Sequence, residues 1–174
     1  MAKRMIRRMA LAALLAGALM APAWAQDADL AVTVSRPLRY HPEGTDFVIS
    51  NGEHWFNRPL FGPHTAFHVD GGDKPEFAFL NVTMKLGVLR FGIQTAKGTK
   101  YVTDAATVVT RYRPGSILYE IKDPALGDAA LHLTTISMPD EEGLLVKAEL
   151  IPPDPNVTLL TVFGGICDLR TTGI

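Results

Sequence analysis

The chain has 174 residues, 17 basic against 18 acidic, with one cysteine, Cys167. That balance argues against the clustered cationic surface that nucleic acids and anionic membranes require, and a lone cysteine excludes an internal disulfide framework. No apolar stretch approaches the roughly 20 residues of a membrane-spanning helix.

Residues 1–25 read as an export signal. Lys3, Arg4, Arg7 and Arg8 form the basic start, residues 10–21 are apolar, and Ala23-Trp24-Ala25 matches the small-x-small cleavage pattern. Arg7-Arg8 lacks the following context of a twin-arginine signal, so Sec-type export to a periplasm or the medium is expected. Cleavage after Ala25 leaves 149 residues with 13 basic against 18 acidic, a net charge of about −5. That length suits one domain of ordinary size, and neither nucleic acid nor membrane is an expected partner of the mature chain. The expected organisation is a lead-in at 26–36, a domain at 37–165 and an atypical tail at 166–174.

Beyond the signal there is no amphipathic helical pattern. Short β-branched and aromatic runs recur between turn signals, which predicts an all-β, antiparallel β-sandwich of nine or ten strands, with a small closed barrel as the second choice. Residues 46–50 end at Asn51-Gly52, a dipeptide that accepts positive φ in a tight hairpin. Residues 66–70 end at Gly71-Gly72. Residues 86–94 alternate, with Leu89, Phe91 and Ile93 on one face and Val88, Arg90 and Gly92 on the other. Residues 107–112 and 116–121 flank Arg113-Pro114-Gly115, another hairpin signal. Residues 130–138 and 144–150 surround the acidic loop 139–143. Three prolines within 151–155 exclude interior strand there, and residues 158–163 form the last predicted strand.

Polar and aromatic residues concentrate between Leu38 and Phe79. His64 and His68 would share a strand face about 13 Å apart, at roughly 3.3 Å per residue, too far for one metal ion, so no metal site is assigned. Asp70, Asp73 and Glu76 are the densest carboxylates. Glycoside hydrolysis uses two carboxylates about 5 to 10 Å apart, but Gly71-Gly72 places these acids in a turn, where Asp serves local hydrogen bonding. They are therefore read as candidate substrate contacts or turn residues, not as catalytic groups. His54, Trp55 and Arg58 join them as candidate contacts, because an aromatic face beside fork-like donors suits sugar rings and hydroxyls. No catalytic residue and no cofactor is assigned.

The blocks LRYHPEGTDFVISNG, FNRPLFG, TAFHVDGGDKPEF, TRYRPGSILYEIKDPALG and EGLLVKAEL, in that order, resemble the N-terminal part of an uncharacterised family. Its members are large exported bacterial proteins similar to six-hairpin glycosidases, in which a β-sandwich precedes an (α/α)6 barrel. The resemblance covers residues 36–165. It implies a sandwich that supports and partly lines a carbohydrate site, with the acid and base supplied by a barrel absent from this chain. After Phe163-Gly164-Gly165 the family continues into more polar chain, whereas here Cys167-Asp168-Leu169-Arg170 follows, so truncation by a frameshift, stop or fragmentary gene is expected. The leading expectation is a non-catalytic N-terminal β-sandwich of a secreted glycoside-hydrolase-like protein, inactive alone. Its expected partners are an oligo- or polysaccharide and the missing barrel. The alternatives are a stand-alone periplasmic carbohydrate-binding module and a structural partner-binding domain.

Overall fold

The computed structural model describes residues 38–82 and 84–165, so the expectations for 1–25, 26–36 and 166–174 lie outside the described residues. Twelve strands follow one another: β1 (His41–Glu43), β2 (Asp46–Ser50), β3 (Arg58–Phe61), β4 (Phe67–Gly71), β5 (Glu76–Asn81), β6 (Met84–Thr95), β7 (Gly98–Tyr101), β8 (Thr107–Arg113), β9 (Ser116–Lys122), β10 (Ala130–Ser137), β11 (Leu144–Ile151) and β12 (Thr158–Gly164). The count exceeds the nine or ten predicted because β1, β3 and β7 have only three or four residues, too few for alternation to register.

The first sheet has the order β1-β2-β8-β9-β10-β11. The second runs β12-β6-β5-β4-β3, with β7 also on β6. Every pairing is antiparallel. Neither sheet of the described residues closes on itself, so the fold is the predicted sandwich rather than a barrel.

Local chemistry explains most connections. Arg113 pairs with Ser116 across Pro114-Gly115, and Gly115 has φ 82°. Proline suits the first turn position and glycine takes the positive φ of the second. Asn51-Gly52 behaves otherwise. Asn51 adopts φ 49°, but it closes no hairpin. Its backbone N–H donates to the Val108 carbonyl at 2.8 Å, and its side-chain Oδ1 accepts from Val108 N–H at 2.8 Å. Asn51 thus ends the β2–β8 ladder, and the chain leaves one sheet for the other. The dipeptide encoded the conformation but not the partner strand, which comes from more than fifty residues away.

The core lies between the inner faces. In the first sheet, cross-strand rows Val108–Ile121–Leu131 and Thr110–Tyr119–Leu133 point inward. In the second, Leu60 faces Val69, and Phe77, Phe91 and Ile93 complete the layer. The buried Thr135 hydroxyl donates to the Ile117 carbonyl at 2.9 Å, which satisfies a polar group that would otherwise cost stability. β12 has no charged side chain, and its outer edge carries no partner strand among the described residues.

Carboxylates lowered by their partners, Asp46 and Asp123 among them, should make the sandwich acid-sensitive. Asp46 is held below the usual carboxylate range by its hydrogen bonds from Arg113, at 2.7 and 3.1 Å. Burial pushes Asp123 upward, but Lys100 at 2.8 Å and the Ala125 and Ala106 N–H groups outweigh it, leaving the carboxyl lowered. A lowered folded-state pKa adds stability above the unfolded carboxylate value, and that stability disappears as pH falls through the folded value. Thermal stability is therefore expected to drop as pH falls below about 4. Melting curves of the wild type and Asp123→Asn across that range check this, and the variant should show a shallower acid decline.

Candidate functional site

The sequence-predicted residues converge first on Asp73. This side chain is 0% exposed. Its Oδ2 accepts from Arg39 and from His54 N–H at 2.9 Å, and its Oδ1 accepts from the Tyr40 hydroxyl. Its own backbone N–H donates to the His54 carbonyl at 2.9 Å, and its carbonyl accepts from Thr110 Oγ1 at 2.8 Å. Burial, reinforced by the Asp73 carboxylate, pushes the Tyr40 phenol well above its ordinary range. A Cβ on Gly52 would lie 2.5 Å from the Asp73 carboxyl carbon, so the close approach requires glycine.

These bonds tie the 51–57 loop across the turn that follows β4. The tie fixes the position of Trp55 and Phe56, whose ring centres are 6.1 Å apart, and leaves Trp55 46% exposed. Arg58 takes a separate place. Its guanidinium lies 4.6 Å from the Tyr40 ring centre and 5.6 Å from that of Tyr112, and it donates to the Asn57 carbonyl at 2.8 Å. Stacking of this kind uses the planar cation for packing.

Strand period then builds the outer face of the second sheet. Val88, Arg90 and Gly92 alternate with the inward Leu89, Phe91 and Ile93 along β6. Arg90 pairs in register with Glu76 on one side and Val162 on the other. Glu76 is buried and receives a two-pronged ion pair from Arg90, at 3.1 and 3.2 Å. Arg90 also lies 5.9 Å from the centre of the Tyr101 ring, which is 45% exposed. Around this pair opens a depression of about 330 Å³ whose walls include Phe56, Glu76, Lys85, Arg90, Tyr101 and Val162. A second hollow, with Gly92, Thr99 and Leu160, shares Tyr101 and Val162 with the first. The two hollows lie side by side and are together termed the groove.

Of the six sequence-predicted contacts, Glu76 lines this groove. Asp70 lies on the same outer face, in the row Asp70–Ala78–Val88. It is half-buried; burial raises its carboxyl above the usual range and His68, 3.6 Å away, opposes that rise. Trp55 and His54 sit on the crossing loop beside Phe56, and His54 uses its backbone to hold Asp73. Arg58 and Asp73 lie apart, at the loop's anchor. Sequence reasoning missed Lys85, Arg90 and Tyr101 as site residues. The alternation of 86–94 carried a signal for Arg90, an outward cation set between the small apolar Val88 and Gly92.

The carboxylates here are committed to partners. Asp73 is enclosed, and Glu76 is tied to Arg90. The groove offers apolar walls, two rings and a fixed fork of donors and acceptors, an arrangement suited to holding a ligand rather than transferring protons.

No match was found to a curated protein or to a solved structure. A family model does match, over residues 84–172, a span that includes Lys85, Val88, Arg90, Tyr101 and Val162 of the groove. The chain belongs to that family, described as a domain of unknown function (DUF4450).

Proposed function

We propose that this chain is the non-catalytic β-sandwich of an exported glycoside-hydrolase-like protein, and that it contacts carbohydrate through the outer face of its second sheet. The observation that carries the reading is the groove in which Tyr101 and Phe56 accompany the Glu76–Arg90 pair. Sugar rings present C–H faces to aromatic rings and hydroxyls to paired donors and acceptors, and both kinds of surface meet here. The occupied carboxylates support a holding role, with chemistry supplied elsewhere. The resemblance of the ordered blocks to sandwich domains that precede (α/α)6 barrels, and the export signal at 1–25, support the same reading.

Tyr101→Ala removes an exposed ring without opening the core, so folding should survive. Retention on immobilised or gel-cast polysaccharides is expected to weaken roughly five- to tenfold, the scale of one aromatic contact. Wild-type protein that migrates unretarded through every glycan would overturn the proposal.

A further inference from the structure

The charges around the groove define its ligand more narrowly, an inference that rests on the carbohydrate reading above. Seven lysines occur in the chain, and six lie among the described residues. Lys74 and Lys97 donate to backbone carbonyls, and Lys100, Lys122 and Lys147 are paired with Asp123, Glu120 and Glu149. Lys85 is different. Among the described residues it has neither an ion-pair nor a hydrogen-bond partner, although it is half-buried. Its ammonium lies 5.0 Å from the centre of the Phe56 ring, at the wall of the groove.

A ring face attracts the ammonium but takes no charge from it, so its three donors stay available to an anionic ligand. Of the other charges on the groove walls, Glu76 and Arg90 neutralise each other and Lys100 is paired with Asp123. Among the described residues, Lys85 therefore leaves the groove with one positive charge that no acidic side chain pairs. The mature chain has a net charge of about −5, so indiscriminate attraction of polyanions by the whole surface is disfavoured. Local attraction to an anion is what remains.

We propose that the groove takes an acidic sugar, whose carboxylate or sulfate meets Lys85 while its ring lies between Phe56 and Tyr101. Such a contact is a charge-assisted hydrogen bond, stronger than any neutral contact to the same ring. A neutral sugar would leave Lys85 as it now stands, so the preference is for the charged residue of a mixed glycan.

The experiment is a glycan array bearing uronate-containing, sulfated and neutral oligosaccharides, probed with the wild type, Lys85→Met, Lys85→Arg and Tyr101→Ala. The wild type is expected to bind acidic members preferentially, and Lys85→Met to bind them roughly five- to tenfold more weakly with an unchanged melting temperature. Lys85→Arg should recover most of the binding. The preference should shrink towards ~1 M salt, where screening acts within about 3 Å. Retention of uronates alone or of sulfated glycans alone supports the proposal and separates the two sources of anion. Binding of neutral glycans only, or acidic binding unaltered in Lys85→Met, overturns it and leaves the carbohydrate reading standing. If no glycan is retained, the carbohydrate reading falls and this proposal falls with it; Tyr101→Ala binding like the wild type takes the sugar ring off Tyr101 and overturns this proposal alone.

Discussion

Asp73→Ala is expected to lower the unfolding free energy by about 3 to 5 kcal/mol, the cost of removing one partner from a buried charged network. The carboxylate serves three donors: Arg39, the Tyr40 hydroxyl and His54 N–H. Arg39 is 39% exposed and can return to water, so its loss is the cheaper part. Tyr40 and the His54 amide are left facing a void, and an orphaned buried donor costs roughly 1 to 3 kcal/mol. Asp73→Asn keeps the shape but turns an amide nitrogen towards donors, so it should be nearly as damaging. Urea unfolding of both variants checks the size of the effect. The 51–57 loop is tied down by the same carboxylate, so under the proposed carbohydrate contact any glycan retention should fall in parallel as Phe56 loses its position.

Phe77→Ala should cost a similar amount, about 3 to 5 kcal/mol, for a different reason. Phe77 is 0% exposed and meets Phe91 and Tyr119 edge-on, with ring centres 6.3 and 5.9 Å away. Truncation removes apolar area and leaves a cavity that the two sheets cannot collapse to fill. Tyr119 stands against that cavity, and its hydroxyl donates to the Gly72 carbonyl at 2.9 Å, under the crossing loop. The loss should therefore reach the groove through Tyr119 and Gly72. Phe77→Leu, which keeps most of the volume, is expected to lose clearly less in the same denaturation experiment. Equal losses in the two variants would show that the void is not the cause.

Much of the fold was legible because period-two patterning is a local property. Ile117, Tyr119 and Ile121 had to face one way along β9, and Pro114-Gly115 had to turn the chain between β8 and β9. The same alternation separated Arg90 from Phe91 before any partner strand was known. The site was less legible. The acids of the Gly-Gly turn look equivalent in sequence, yet Asp73 is enclosed by Arg39 and Tyr40, more than thirty residues away, while Glu76 faces outward to Arg90. Trp55 drew attention as the conspicuous aromatic, but its neighbour Phe56 is the one that reaches the groove.

The sequence alone determined the all-β class, the alternation of core and surface and much of the turn chemistry. Each follows from a residue's own backbone preference or hydrophobicity. Tertiary structure alone decided which strands became neighbours, that Asn51 ends a ladder instead of closing a hairpin, and that Lys85 has no ion-pair partner among the described residues. Those outcomes depend on register between distant segments. Pairing β5 with β6 sets Glu76 against Arg90 so that the two charges neutralise each other, while Lys85, on the same strand as Arg90, lies against the Phe56 ring.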